Sequence, residues 1–293
     1  MKCMLENSAD VMAVENEGDR DRLGQRIGSD VFPRASASVF CYRNGMFCRE
    51  QRDAICERAF DIMVNGKPLV SLLCSSNALE ELAYGFLYSE GVIGSLADVA
   101  SCSLDTREMT ASFRLAGPFD VPGVAVLSSG FGGKTLNCPV LSLERCCNSF
   151  RREGLRPGVL NDSLHIVEEV TAAMKTMRSF AREYAATRGI HCSALFREGK
   201  LLACFEDIGR HNTLDKLAGH CLLSGCGAQG ALLTTTGRIS GEMFSKALRL
   251  GVRCVASLSG PTDVAIASAH DSGMLLMGYV AGSSATIYAG LDT

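Results

Sequence analysis

The densest run of side chains able to do polar chemistry is Glu206-Asp207-Ile208-Gly209-Arg210-His211-Asn212. Arg210 offers a two-pronged fork to a carboxylate or phosphate. His211 can donate or accept a hydrogen bond near neutral pH, and Gly209 lets the backbone approach a ligand closely. The run follows a predicted strand and opens a predicted helix, where strand ends and helix amides converge on ligands in α/β proteins. The same residue types also suit an internal arrangement, an Asp207–Arg210 ion pair with Asn212 as helix cap.

Two further turns have this strand-to-helix character. Thr234-Thr235-Thr236-Gly237-Arg238-Ile239-Ser240 offers hydroxyls, free amides around Gly237 and the Arg238 guanidinium, a good set for an anion. It lacks the GxxxxGK[ST] spacing of a P-loop, and it also fits an ordinary turn with Ser240 as the next cap. Ser259-Gly260-Pro261-Thr262 reads singly as a helix start, with Pro261 in the first turn. Three such turns from one sheet would line a common edge. A fourth segment, Ser128-Ser129-Gly130-Phe131-Gly132-Gly133-Lys134, is a glycine-rich loop that either wraps a ligand or connects flexibly. His191-Cys192 and Cys146-Cys147 read as packing residues rather than metal or redox sites. No CxxC and no zincin motif occurs, so no metal site is expected.

These segments need elements to hold them. Cys56 to Val64 and Leu69 to Cys74 are strand-like around Asn65-Gly66, a strong hairpin signal. Asn77, with Glu80 three residues on, suits a capped helix whose apolar stripe is Leu79, Leu82, Ala83, Phe86 and Leu87, ending at Gly91. Two or three short strands are expected between Ala100 and Leu127. Leu164 to Tyr184 has helical period, with Asp162 or Ser163 as cap and Gly189 as stop. Strands at 190–196 and 201–205 form a hairpin. Helix 212–223, strand 231–235, helix 240–250, strand 252–257, helix 262–270, strand 274–280 and a short strand at 285–288 follow. Such alternation argues for a sheet with helices on its faces. The expected organisation is a disordered tail at 1–34, a smaller mixed α+β domain at 35–150 carrying the glycine-rich loop, and a second domain at 151–293.

The chain of 293 residues is long enough to bury a substantial core. Its formal net charge of -3 gives no long-range attraction to nucleic acid or acidic membranes. The polar start Met1 to Asp30 has no signal-peptide core, and no apolar stretch reaches the ~20 residues of a membrane span. Its 14 scattered cysteines then suit free thiols in a reducing cytoplasm.

Together these blocks resemble the formate dehydrogenase accessory sulfurtransferase family, FdhD. The resemblance rests on Val64-Asn65-Gly66-Lys67-Pro68, Glu80 to Leu87, Ser89-Glu90-Gly91, Glu206 to Asn212 with Asp215-Lys216, Thr236 to Ser240 with Glu242, and Pro261-Thr262 with Leu276 to Tyr279. EDIGRHNTLDK is the most specific run. The resemblance implies a three-layer α/β/α C-terminal domain of cytidine-deaminase-like fold. It does not imply deamination, because the H-x-E and P-C-x-x-C ligand motifs are missing. It implies a homodimer that carries sulfur from a cysteine desulfurase to a molybdenum bis(molybdopterin guanine dinucleotide) cofactor, held partly through its GDP-like moiety, for the formate dehydrogenase apo-enzyme.

By resemblance the cofactor segment is Tyr279-Val280-Ala281-Gly282-Ser283-Ser284. Ala281 and Ser284 stand where some members have arginines, so Arg210 and Arg238 are the candidate phosphate partners, with Asp207, Gly209, His211 and Gly237 beside them. Many members carry C-G-x-C-G in the glycine-rich loop, where this chain has Ser129-Gly130-Phe131-Gly132-Gly133. None of these side chains can hold a sulfane sulfur, which leaves Cys138 as a shifted carrier. The rival expectation is a cofactor-binding chaperone without sulfur transfer. A third is an unrelated nucleotide enzyme on the same scaffold.

Overall fold

Strands β8 (His191–Arg197) and β9 (Lys200–Asp207) send alternate side chains to opposite faces, and both faces are buried. In the computed structural model, which describes residues 32–119, 125–127 and 160–290, they belong to a six-stranded sheet. The other strands are β10 (Leu232–Thr235), β11 (Cys254–Ser257), β12 (Leu275–Ala281) and β13 (Ser284–Ala289), in the order β13-β12-β11-β10-β8-β9. β10, β11 and β12 are parallel, while β8 runs against both its neighbours. The C-terminal ends of β9, β10, β11 and β12 therefore share one edge with the start of β8.

Helices cover both faces of this sheet. Leu195, Phe205, Leu233, Val255 and Leu276 pack against α4 (Arg210–Ser224), α5 (Gly241–Leu250) and α6 (Asp263–Ser272). Cys192, Ala194, Phe196, Leu232 and Met277 pack against α2 (Leu160–Phe180). Each face alternates along the strand because successive side chains point opposite ways. Ser240 and Thr262 accept hydrogen bonds from Met243 N and Ala265 N, so they cap α5 and α6. Pro261 stands before the Thr262 cap rather than inside the first turn, bridging to Ile239.

The N-terminal half holds a five-stranded sheet, β5-β6-β3-β4-β7, made of β3 (Arg58–Val64), β4 (Lys67–Cys74), β5 (Val99–Asp105), β6 (Thr110–Leu115) and β7 (Ala125–Leu127). The Asn65-Gly66 turn expected between β3 and β4 is present, with both residues at positive φ, 51° and 77°. Helix α1 (Leu79–Ser89) buries its expected stripe on this sheet. Asn77 does not cap it. Ala78 occupies the cap in left-handed conformation, and Asn77 Oδ1 accepts from Lys216 Nζ at 2.9 Å.

Three other boundaries differ from the expectation. A ribbon of β1 (Arg34–Arg43) and β2 (Met46–Ile55) precedes the first sheet, so Arg34 opens a strand instead of closing the tail. Both ribbon faces are largely exposed, and no apolar alternation marked it in the sequence. Arg34 is held by Glu183 at 2.7 Å. The long helical period breaks at Ala181, with α3 (Arg182–Thr187) following and ending on left-handed Arg188 rather than on Gly189. Asp162 and Ser163 lie within α2, not ahead of it.

The two sheets meet through α1 and α4. A Cβ on Gly85 would sit 1.7 Å from Asp215 O, and one on Gly219 would sit 1.9 Å from Glu81 O. Glycine at both positions lets the helix backbones touch.

Candidate functional site

The shared strand-end edge brings together residues far apart in sequence. Gly237, just after β10, would meet Arg210 Cβ at 2.9 Å and His191 Nδ1 at 3.4 Å if it carried a Cβ. Thr236 Oγ1 accepts from Cys192 N at 3.0 Å and lies 3.3 Å from His191 Nδ1. Ser257 Oγ donates to Gly237 O at 2.6 Å, and Ser259 Oγ donates to Thr236 O at 3.0 Å. Tyr279 N donates to Ser259 O at 3.2 Å. A continuous polar seam thus runs from His191 through the Gly237 and Ser259 turns to Tyr279. The three strand-to-helix turns and the Tyr279 turn meet along this one side of the sheet.

Tyr279 is 57% exposed and has a positive φ of 52°, rare for a bulky residue. Its hydroxyl would lie 2.5 Å from a Cβ on Gly260, so the ring covers that glycine. Val280 points into the core, leaving only its backbone for a ligand. Ala281, Gly282, Ser283 and Ser284 are exposed, and Ser284 Oγ donates to Ala281 O at 2.9 Å.

The electrostatics of the edge are positive. Burial lowers the Arg210 pKa, and the nearby Arg238 charge adds to this, while Glu242 opposes it. Among the described residues neither guanidinium has an ion-pair partner, and Arg210 Nε is buried with no hydrogen bond. His191 is held below its ordinary value by burial, then by Arg210 and Arg238. His211 is pushed down to about 3, first by burial and then by Lys246, Arg210 and His191. Glu242 lies 3.6 Å from His211 Nε2, too long for a good hydrogen bond, and is 41% exposed, so solvent screens it. The edge can therefore accept an anion on two cations and two neutral imidazoles.

Asp207 is not part of that surface. It is fully buried, with Oδ2 taking Lys216 Nζ at 2.6 Å and Ser75 Oγ at 2.9 Å. Its Oδ1 takes Gly209 N and Asn212 Nδ2, each at 2.8 Å. The alternative Asp207–Arg210 pair does not form either: Asp207 pairs with Lys216, and the helix cap is Gly209 rather than Asn212. A closer ammonium saturates the carboxylate inside the joint between the two sheets. Gly209 serves that joint too, since a Cβ there would lie 2.8 Å from Asn212 Nδ2.

His191, read from sequence as a packing residue, lies half-buried at the edge. Only the sheet order, which sets β8 between β9 and β10, places it there. Lys216 and the buried Lys246–Asp215 pair at 2.7 Å also escaped the reading of the residues, because a mid-helix charge gives no periodic signal of its partner. Ser129, Gly130, Phe131, Gly132, Cys138, Cys146 and Cys147 lie outside the described residues. Among those described, no cluster of three His, Cys, Asp or Glu side chains is arranged for a metal, and no helix is long and apolar enough to cross a membrane.

Comparison with known proteins gives a consistent set of relatives. The family model described as FdhD/NarQ matches residues 55–293. The chain is 32% identical over 259 residues to the sulfur carrier protein FdhD of Bacillus licheniformis, covering 86% of this chain and 94% of that one. Identity to the protein of the same name from Bacillus subtilis is 31% over 260 residues, covering 87% and 95%. A crystal structure from Desulfotalea psychrophila, of a protein assigned provisionally as a formate dehydrogenase accessory protein, superposes with a TM-score of 0.67 at 20% identity. It covers 87% of this chain and 96% of that one, and at that identity it speaks for the fold.

Proposed function

The chain belongs to the FdhD/NarQ family, and from that premise we propose that it is an accessory protein for formate dehydrogenase, binding a molybdenum bis(molybdopterin guanine dinucleotide) as client at the strand-end edge. The observation that carries this reading is the pair Arg210 and Arg238, two neighbouring guanidiniums without a carboxylate partner among the described residues. A diphosphate bridging a nucleoside supplies the charge that such a pair lacks. Arg210 Nε, buried and unsatisfied, has the character of a donor awaiting an acceptor.

In this reading Arg210 and Arg238 neutralise phosphate, and His211 and His191 stay neutral and exchange hydrogen bonds. The exposed Tyr279 offers a ring face to a base, and the turn through Ser284 offers amides. Asp207 acts behind the surface by fixing Gly209 and Asn212. The client, once sulfurated, serves redox chemistry in the dehydrogenase. The cytidine-deaminase-like layering of the C-terminal half, a homodimer, a cysteine desulfurase as sulfur donor and a cytoplasmic setting belong to the same proposal and rest on the family resemblance.

Calorimetric titration with GDP tests the site. Binding that weakens when either arginine is replaced supports it. No heat at high micromolar GDP, with a family member binding in parallel, overturns it.

A second reading is favoured by a specific departure. Ser129, Phe131 and Gly132 stand in the loop where relatives carry sulfur on cysteine, so the protein binds the client without transferring sulfur. Incubation with a desulfurase and cysteine, followed by persulfide mapping, separates the two. A loaded Cys138 supports transfer, and a chain without persulfide supports binding alone.

A further inference from the structure

Three pairs of cysteines approach one another among the described residues, and they differ in ways that matter chemically. Cys192 and Cys204 are the closest, with Sγ atoms 3.4 Å apart, but both are buried in the core. They have no route to solvent, and the hydrogen bond with Cys204 together with burial pushes the Cys192 thiol well up, away from the thiolate that would have to react. Cys41 and Cys48 face each other across the exposed β1–β2 ribbon. Their thiols lie 3.2 and 3.4 Å from the Glu50 carboxylate, and the hydrogen bond to Glu50 holds the Cys48 thiol above its ordinary value.

The third pair straddles the C-terminal end of α4, Cys221 in its last turn and Cys226 just beyond it. Cys226 Sγ is 3.8 Å from Cys221 Sγ. Cys226 is half-buried and accessible, whereas Cys221 is 8% exposed and shielded behind it. Cys226 follows Gly225, whose left-handed backbone ends the helix, and Ser224 Oγ accepts from Cys226 N at 3.3 Å. Gly225 and Gly227 are both exposed, so Cys226 can shift the short way needed for a sulfur–sulfur bond. Contacts with Cys221, His220 and Ser224 bring the Cys226 thiol down to about 4, while Cys221 moves upward. Arg197, on neighbouring β8, is the cation felt at Cys221. An accessible thiolate backed by a shielded thiol is the arrangement of an attacking and a resolving cysteine.

We infer that Cys226 and Cys221 form a dithiol–disulfide couple, a modification site for small disulfides such as oxidised glutathione. The Cys226 thiolate attacks one sulfur of the disulfide, forming a mixed disulfide and releasing one glutathione thiolate. Cys221 then attacks the Cys226 sulfur, its proton passing to the second departing glutathione. The protein loses two electrons and the small disulfide gains them. The nearby Cys221 also decides against a sulfur carrier here, because a sulfane sulfur on Cys226 would be displaced as hydrosulfide. Helix α4 separates Cys221 from the Gly209 turn by about 18 Å of helical rise. The inference does not rest on the cofactor reading, and its failure would leave that reading intact.

The test uses the reduced full chain with oxidised glutathione, followed by alkylation and peptide mass mapping. The expected product is a Cys221–Cys226 crosslink, with Cys192 and Cys204 still thiols. Cys221→Ser should trap glutathione on Cys226, and Cys226→Ser should give neither product. If Cys221→Ser does not fold, the unmodified chain gives an equivalent readout through alkylation rates. The Cys226 rate should be nearly flat from pH 6 to 8, while that of Cys48, whose thiol is held above its ordinary value, rises about tenfold per unit. A Cys226 rate rising in parallel with Cys48, a crosslink elsewhere, or a stable persulfide on Cys226 in the unsubstituted chain would overturn the couple.

Discussion

Lys216 Nζ lies 2.6 Å from Asp207 Oδ2, and neither side chain reaches solvent. The ammonium also donates to Asn77 Oδ1 at 2.9 Å and to Ser75 Oγ at 3.2 Å, so the pair ties α4 to the β4–α1 junction. Removing one partner leaves the other charge buried alone. Lys216→Met is expected to cost about 3–5 kcal/mol in denaturant unfolding. Pairing it with Asp207→Leu should recover part of that loss, because no unpaired charge then remains. A single substitution that leaves the unfolding midpoint unchanged would contradict this account.

The α1–α4 contact gives a second prediction. Gly85→Ala and Gly219→Ala each improve intrinsic helix propensity, yet each places a methyl within 2 Å of a facing carbonyl oxygen. Overpacking should win, lowering stability by about 3 kcal/mol. Gly227→Ala, where nothing lies within 4 Å of the new Cβ, serves as the near-neutral control. Thermal unfolding of the three variants decides the point.

Arg210 and Arg238 should contribute separately to anion binding. Replacing either by Ala is expected to weaken GDP about 10- to 100-fold, the range for losing a charge-assisted hydrogen bond. The Arg210→Lys variant should not recover full affinity, since a point charge cannot replace the planar fork. Equal GDP binding by both alanine variants and the parent chain would remove the arginines from the site.

His211 makes stability depend on pH in a defined direction. Its folded value of about 3 lies below its ordinary 6.5, so the unfolded chain takes up a proton that the folded chain refuses. This penalty is absent above pH 6.5 and grows as pH falls toward 3, on the order of 2 kcal/mol by pH 5. His211→Gln should flatten that acid limb. The measurement is the denaturant midpoint at pH 7 and pH 5 for both proteins, and parallel losses would rule out His211 as the source.

The sequence by itself determined the alternation of strands and helices from 190 onward, the Asn65-Gly66 hairpin, and the turns at Gly209, Gly237 and Ser259. Each is written in local terms, as apolar period, glycine placement and capping residues. Tertiary structure decided which polar groups meet. Asp207 has a plausible partner three residues away in Arg210, but the fold supplies Lys216 and, 132 residues distant, Ser75. The antiparallel insertion of β8 between β9 and β10 brought His191 to the edge. The β1–β2 ribbon escaped because an element exposed on both faces has no apolar alternation to read. Local pattern reports which face a residue turns inward, whereas charge pairing depends on which distant elements share a buried volume, and a single strand or helix does not encode that.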